Sequence, residues 1–291
     1  MIPAWIDVRE YPFTPRALAV DAGRMSYLDE GDGPAVVMVH GTPTWSFLYR
    51  HLVKALAPRH RCVVPDLPGF GLSDRLAGAS YRPEDQARRL TTLIDTLRLK
   101  DITLVVHDFG GPIGLAHAIE RPESVRRLVL FNTWMWSLAG ERSFRLVGRL
   151  LGGPLGRVAF ERLPLSTDVL WRSALADRTR YTRAVHAHYR APMATAAARR
   201  ATAVYARELL GSSAWYERLW GRRERIADIP ALLVWGMKDP AFASCLPRWR
   251  GVFERADVVE LADVGHAPPE ERGPEVAAMV ARFLSDQEVR G

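Results

Sequence analysis

Short apolar runs alternate with amphipathic stretches along most of the chain. Six runs rich in valine and leucine occupy positions 36–39, 62–64, 102–106, 128–131, 231–235 and 258–261. The spacing of apolar positions between these runs predicts helices over 47–56, 83–97 and 110–120, and a last helix from 273 to about 284. Continuous apolar strands that alternate with helices are typical of a parallel sheet covered on both faces. The pattern therefore predicts an α/β fold with a mostly parallel central sheet.

Two stretches depart from this alternation. Near the start, residues 17–20 and 24–28 flank the turn-forming sequence DAG, which predicts an antiparallel hairpin at the edge of the sheet. From residue 137 to residue 228 the chain is rich in arginine, alanine and leucine and has no strand-like run. This composition predicts a helical insertion between two strands. We expect a core made of residues 1–136 and 229–291, with a helical unit over 137–228.

Positive charge is concentrated in the inserted segment. The whole chain has a formal net charge of +7, and residues 140–225 hold seventeen arginines, seven acidic residues and no lysine. A basic segment could bind nucleic acid, but these arginines are spread along helical repeats and do not cluster with aromatic residues in a recognised motif. We interpret them as a solvated helical face and expect no nucleic-acid partner.

Composition excludes several classes of protein. With 48% hydrophobic and 25% charged residues over 291 positions, the chain is globular rather than disordered or fibrous. Its two cysteines are too few for a disulfide framework, and its first ten residues lack a secretory signal pattern. No apolar run reaches the roughly 18 residues of a membrane helix. We expect a soluble cytoplasmic protein, a monomer or a homodimer, with no membrane partner.

A candidate nucleophile lies between a strand and a helix. The stretch VVHDFGG places Asp108 two positions after the run 102–106 and before a helix, with Gly110 and Gly111 close by. This is the layout of a nucleophile elbow, with aspartate where serine is more common. The loop HGTPTWS, which follows the run 36–39, is placed to supply a backbone N–H to an oxyanion or leaving-group site. Thr42 and Phe109 are the candidates for that site.

Two later segments supply an acid and a histidine. Asp239 ends the stretch LVWGMKD, and His266 lies on the loop after the last predicted strand. The chain order of nucleophile, acid and histidine is that of α/β-hydrolases. Asn132, which follows the run 128–131, carries an amide and cannot serve as the acid. This supports the choice of Asp239.

An aspartate nucleophile narrows the chemistry. A carboxylate is ionised near neutral pH and needs no base to activate it, so His266 is free for a later step. Attack on a carbonyl would give a reactive anhydride, whereas attack on saturated carbon gives a stable alkyl ester. Water activated by His266 would then hydrolyse the ester. The chemistry requires neither a metal nor an organic cofactor.

The motifs that carry these residues resemble those of haloalkane dehalogenases. The resemblance rests on HGTPTWSFLYR, DLPGFGLSD, HDFGG, GMKD and VGH, and more weakly on YRAPM at 189–193. The chain is similar, more loosely, to epoxide hydrolases, and β-lactone decarboxylases are also close. The resemblance implies a triad of Asp108, Asp239 and His266, with residues 137–228 forming a cap over the pocket. It also implies a small apolar haloalkane as substrate.

The chain departs from the dehalogenase pattern at its leaving-group site. The family typically has Trp after its nucleophile and an aromatic-Pro-Arg stretch in the cap, where this chain has Phe109 and Tyr205-Ala206-Arg207. Replacement donors are the Thr42 hydroxyl and the indoles of Trp134, Trp136 and Trp171. Epoxide hydrolases use cap tyrosines instead, and Tyr216 is the best candidate among Tyr181, Tyr189, Tyr205 and Tyr216. The candidate pocket residues are Trp45, Trp134, Trp136, Trp171, Tyr205 and Tyr216. A protein that binds a small ligand without turnover is a further alternative.

Overall fold

The architecture is an eight-stranded sheet with helices on both faces. The computed structural model describes residues 3–290, apart from the side chains of residues 147 and 286–290. The strands are β1 Arg16–Val20, β2 Gly23–Glu30, β3 Ala35–Val39, β4 Arg61–Pro65, β5 Ile102–His107, β6 Val125–Phe131, β7 Ala231–Gly236 and β8 Asp257–Leu261. Their order across the sheet is β1-β2-β4-β3-β5-β6-β7-β8. β1 and β2 form the predicted antiparallel hairpin, β2 pairs antiparallel with β4, and the other neighbours are parallel.

Twelve α-helices occur among the described residues. They are α1 Arg50–Leu56, α2 Pro83–Thr96, α3 Gly110–Glu120, α4 Arg142–Gly152, α5 Pro154–Arg162, α6 Arg172–Ala174, α7 Arg183–Arg190, α8 Ala196–Gly211, α9 Ser213–Trp220, α10 Leu246–Arg250, α11 Pro268–Glu271 and α12 Gly273–Arg290. The last helix continues beyond the predicted end near residue 284. None of the described helices is long and apolar enough to cross a membrane.

Two apolar clusters cover the two faces of the sheet, because successive side chains of a strand point to opposite faces. Val37 and Leu104 belong to the cluster that also contains residues of α2 and α3. Val36 and Val105 belong to the other cluster, which contains residues of α1 and α12. Every residue of β3, β5 and β7 is buried. The prediction of an α/β fold with a mostly parallel sheet is confirmed.

The inserted helices are α4 to α9, which lie in the chain between the neighbouring strands β6 and β7. No strand occurs in this described segment, which also contains a π-helical turn at Ser166–Trp171. Helix α8 is the longest of the inserted helices, and both α4 and α5 pack on it. The carboxyl ends of the parallel strands and these helices together place the residues of the candidate site.

Candidate active site

Asp108 occupies a sharp turn between β5 and α3. Its φ is +51°, a left-handed conformation that is costly for a residue with a Cβ and is typical of functional sites. The small residues beside it allow the turn to pack closely. A Cβ on Gly110 would lie 2.0 Å from the Val39 carbonyl oxygen, and one on Gly111 would lie 1.8 Å from Oγ1 of Thr133. The same Oγ1 donates to the Asp108 carbonyl at 2.5 Å.

Two backbone N–H groups hold the Asp108 carboxylate. The N–H of Thr42 donates to Oδ2 at 2.7 Å, and the N–H of Phe109 also bonds the carboxylate. Gly41 permits this approach, because a Cβ there would lie 2.2 Å from the same oxygen. Burial raises the pKa of Asp108 to about 6, against the opposing influence of His266 and of these two N–H groups. The backbone N–H groups of Thr42 and Phe109 therefore both contact the Asp108 carboxylate.

His266 lies between the two aspartates. Its Nδ1 is 2.9 Å from Oδ2 of Asp239, and its Nε2 is 4.0 Å from Oδ1 of Asp108. Burial disfavours the imidazolium, but the carboxylates of Asp239 and Asp108 outweigh it and raise the pKa of His266 to about 9. The three side chains are all buried, and their short separations couple the protonation of each to that of the others. Asp108, Asp239 and His266 are far apart in the sequence but lie together in the structure.

Asn132 holds the acid in place. Its amide nitrogen donates to Oδ2 of Asp239 at 2.9 Å and to the Gly236 carbonyl at 3.0 Å, and its Oδ1 accepts from the Gly236 N–H at 2.8 Å. Burial works against the Asp239 carboxylate, but His266, the backbone N–H of Ala241 and the amide of Asn132 together lower the pKa of Asp239. In the sequence, the amide of Asn132 only excludes it as the acid, and nothing there indicates its contact with Asp239.

Glu271 organises the histidine loop and was missed by sequence reasoning. Its carboxylate accepts backbone N–H bonds from Gly265 and Ala267, on either side of His266, and from residues 176 and 177 of the inserted segment. Burial raises its pKa despite these bonds. The only signal in the sequence is the pair of acidic residues after Pro268 and Pro269, which reads as an ordinary helix start.

A cavity of about 410 Å³ opens above Asp108 and His266. Its walls are mostly apolar, with Phe144 and Leu151 from α4, Phe160 from α5 and Leu209 from α8. Thr42 and Phe109, the candidates for the leaving-group site, and Trp171 and Tyr205, two of the candidate pocket residues, also line it. The Oγ1 of Thr42 is buried and has no hydrogen-bond partner in the described part of the chain. The cavity therefore presents apolar walls and one unpartnered hydroxyl beside the carboxylate.

The pocket prediction is wrong for four aromatic residues, which do not line this cavity. The Trp45 indole donates to the His188 carbonyl at 2.9 Å, and the Tyr216 hydroxyl donates to the Glu208 carbonyl at 3.0 Å. Trp134 packs behind the wall, with its ring 4.8 Å from that of Phe109 and 4.6 Å from that of Phe242. Trp136 packs against Trp220 and Trp249. Core packing, rather than substrate contact, accounts for these side chains.

The family of the chain follows from comparison with known proteins. Residues 34–272 match the model of the α/β-hydrolase fold family. The chain belongs to this family.

Two relatives and one solved structure describe its place within the family. The chain is 38% identical to haloalkane dehalogenase 2 of Mycobacterium tuberculosis H37Rv, over 95% of this chain and 97% of the relative. It is 34% identical to cis-3-alkyl-4-alkyloxetan-2-one decarboxylase of Shewanella oneidensis, over 95% of this chain and 90% of that one. The crystal structure of the DbeA-M1 loop variant, a haloalkane dehalogenase from Bradyrhizobium elkanii, superimposes with a TM-score of 0.81 at 26% identity, covering 96% and 100% of the two chains. The chain is a haloalkane dehalogenase-like hydrolase.

Proposed function

We propose that the chain is a haloalkane dehalogenase that uses Asp108 as its nucleophile, His266 as its base and Asp239 as the acid that orients the base. One observation carries the proposal. The Asp108 carboxylate lines an apolar cavity and is held by the backbone N–H groups of Thr42, on Oδ2, and of Phe109, while its Oδ1 lies 4.0 Å from Nε2 of His266. This arrangement suits a carboxylate that attacks a small alkyl substrate and not one that caps a helix.

The first step forms an ester. An ionised oxygen of Asp108 attacks the saturated carbon of the substrate, the carbon–halogen bond breaks, and the halide leaves with the bonding electrons. The backbone N–H groups of Thr42 and Phe109 orient the carboxylate for this attack. The apolar walls exclude water from the reacting carbon.

The second step hydrolyses the ester. Neutral His266 accepts a proton from a water molecule, whose oxygen attacks Cγ of the esterified Asp108. The N–H groups of Thr42 and Phe109 stabilise the negative oxygen that develops at this centre. The Cγ–O bond to the alkyl group then breaks, and the alkoxide takes the proton of the newly added hydroxyl and leaves as the alcohol. This restores the Asp108 carboxylate, and the proton on His266 passes to solvent. Asp239 stabilises the imidazolium that forms.

The electrostatics of the site couple the two steps. The negative charge of Asp108 is one of the causes that raise the pKa of His266. Esterification removes that charge, so the pKa of His266 falls after the first step. A larger fraction of His266 is then neutral at a given pH. His266 therefore becomes able to accept a proton at the hydrolytic step, which requires a base.

The inserted segment supplies most of the cavity wall. We assign residues 137–228 as a cap over the core, because α4, α5 and α8 contribute apolar side chains above Asp108. The volume and walls of the cavity favour a small apolar haloalkane. The buried free thiols of Cys62 and Cys245 are consistent with action in the cytoplasm.

A second candidate function is oxetan-2-one decarboxylation. The observation that favours it is the phenyl ring of Phe109, which lines the cavity but offers no N–H to a departing halide. When Asp108 attacks the saturated ring carbon of a β-lactone, the ring C–O bond breaks and the carboxylate that forms stays attached to the substrate. Loss of CO₂ from this carboxylate then forms an alkene and breaks the bond to Asp108, which leaves as a carboxylate. The similarity to the oxetan-2-one decarboxylase of Shewanella oneidensis supports this alternative.

Epoxide hydrolysis receives less support from the inserted tyrosines. The hydroxyls of Tyr181, Tyr189 and Tyr216 bond to His186, Glu270 and the Glu208 carbonyl respectively. Tyr205 is the tyrosine that remains at the cavity wall in the described segment. Its ring centroid lies 4.4 Å from that of Phe109.

A panel of three substrate classes tests the proposal. Purified protein is incubated with short 1-bromo- and 1-iodoalkanes, with alkyl epoxides and with dialkyl oxetan-2-ones, and halide, diol and alkene are measured. We expect halide release that is lost in Asp108→Asn. Alkene release from the lactones alone would assign the second function, diol release alone would assign epoxide hydrolysis, and silence on all three would leave a ligand-binding protein.

A further inference from the structure

The outer surface of α4 and α5 exposes an unusual number of large apolar side chains. Seven of the nine exposed large hydrophobic residues in the described part of the chain lie between residues 146 and 170. We call Leu146, Leu150, Leu155 and Val158 the apolar face. Their exposed fractions are 73%, 71%, 86% and 55%. A concentration of exposed apolar surface of this kind marks an interaction site.

The packing of α4 and α5 explains why these side chains point outward. Both helices pack on α8 through residues on their inner sides. A Cβ on Gly148 would lie 2.5 Å from the Leu210 side chain, so this position of α4 faces α8. Leu146 and Leu150 are four residues apart and therefore share a side of the helix that turns away from Gly148. The leucines are outside because the inner side is already occupied.

Arginines run beside the exposed leucines. Arg142, Arg145 and Arg149 recur at intervals of three and four residues, are exposed, and form no ion pair with the described residues. On α5, Arg157 is neutralised by Glu161 at 3.0 Å. Helix α4 thus carries a stripe of unpaired positive charge parallel to a stripe of leucine, the composition of a helix that lies at the interface of an anionic bilayer.

We propose that the apolar face and its three arginines dock on the surface of an anionic lipid bilayer. The leucines would enter the boundary between headgroups and acyl chains, and the guanidinium groups would bind lipid phosphates. A second copy of the chain is a poorer occupant. A two-fold contact places the same patch on both sides, and it would bring the arginine stripe close to its own copy without carboxylates to neutralise it.

The docking surface adjoins the cavity. Phe144 and Leu151 of α4 and Phe160 of α5 line the cavity, while the apolar face lies on the other side of the same helices. One helix, about 10 Å across, therefore separates the bilayer from the cavity. This inference goes beyond the proposed reaction and does not depend on it. The sequence prediction of no membrane partner rests on the lack of spanning and secretory segments, and docking on a bilayer surface needs neither.

Vesicle sedimentation tests the proposal. The full chain is mixed with vesicles of phosphatidylcholine, or of phosphatidylcholine with phosphatidylglycerol, and the bound fraction is measured at low and high salt. We expect binding to the anionic vesicles that weakens with salt. The triple variant Arg142→Gln, Arg145→Gln, Arg149→Gln should lose about fivefold in partitioning per arginine, on the order of a hundredfold in all.

Matched variants separate this surface from general charge and hydrophobicity. Leu146→Ser with Leu150→Ser should weaken binding about tenfold per leucine, whereas Leu76→Ser, at another exposed apolar position, should not. The charge control replaces three exposed arginines outside the inserted segment, namely Arg98, Arg126 and Arg255, by Gln. Absence of binding to anionic vesicles, or equal losses in test and control variants, overturns the proposal. If the chain does not bind vesicles but forms a dimer, and only the variant Leu146→Ser with Leu150→Ser is monomeric, the apolar face is assigned to a second copy of the chain.

Discussion

Replacing Phe109 by Trp tests how the leaving group is stabilised. The phenyl ring of Phe109 lines the cavity and packs against Tyr205 and Trp134, with ring centroids at 4.4 and 4.8 Å. An indole at this position adds an N–H donor on the cavity side, where a volume of about 410 Å³ can accept the larger ring. A hydrogen bond to an ion contributes about 1.5–3 kcal/mol, which corresponds to roughly 10- to 150-fold in rate.

Single-turnover kinetics measure the relevant step. The burst of halide from a 1-bromoalkane reports formation of the Asp108 ester, and Phe109→Trp should accelerate it by the factor above. Phe109→Leu is the control because it alters the shape of the wall without adding a donor, and it should give no gain. A folded Phe109→Trp enzyme whose burst is unchanged or slower would refute a pocket organised around a halide.

Three further predictions concern the charges and contacts around the site. Because burial raises the pKa of Asp108 to about 6, kcat/KM should be maximal above that pH and fall about tenfold per pH unit below it. A flat profile between pH 5 and pH 7 would contradict the assignment of Asp108 as the nucleophile. Asn132→Ala removes a donor to Asp239, so ester hydrolysis should slow about tenfold or more in stopped-flow experiments while the halide burst is preserved. Equal slowing of both steps would count against a positioning role of Asn132. Glu271→Gln replaces one of two accepting oxygens by an amide N–H₂ group, so some of the backbone N–H groups of residues 176, 177, 265 and 267 lose their acceptor. The free energy of unfolding should fall by about 2 kcal/mol in urea titrations, whereas exposed Glu275→Gln should change it little.

The sheet could be predicted from the sequence because burial on both faces requires continuous apolar strands. The runs that became β3, β5 and β7 are entirely buried, so their composition carries a strong signal. The hairpin of β1 and β2 was recognisable from its turn. The end of α12 was not, since the helix continues to Arg290 past the last apolar position that the pattern used.

The candidate site was predictable only where the backbone itself requires particular residues. The turn at Asp108 needs small neighbours, and Gly110 and Gly111 are visible in the sequence. Side-chain direction leaves no such mark. Trp134 and Trp171 are both buried aromatic residues, yet Trp134 packs behind Phe109 while Trp171 faces the cavity. The contacts of Asn132 and Glu271 join segments far apart in the chain, and periodicity cannot reveal them.

Trapping the ester on Asp108 tests the central claim most directly. His266→Gln removes the base that the hydrolytic water requires but leaves the carboxylate and its two backbone donors in place. After incubation with a 1-bromoalkane, intact-mass spectrometry should reveal one added alkyl group, and peptide mapping should assign it to Asp108. The same treatment of Asp108→Asn should add nothing. An unmodified His266→Gln protein, while the wild-type enzyme releases bromide, or an alkyl group on another residue would contradict the account.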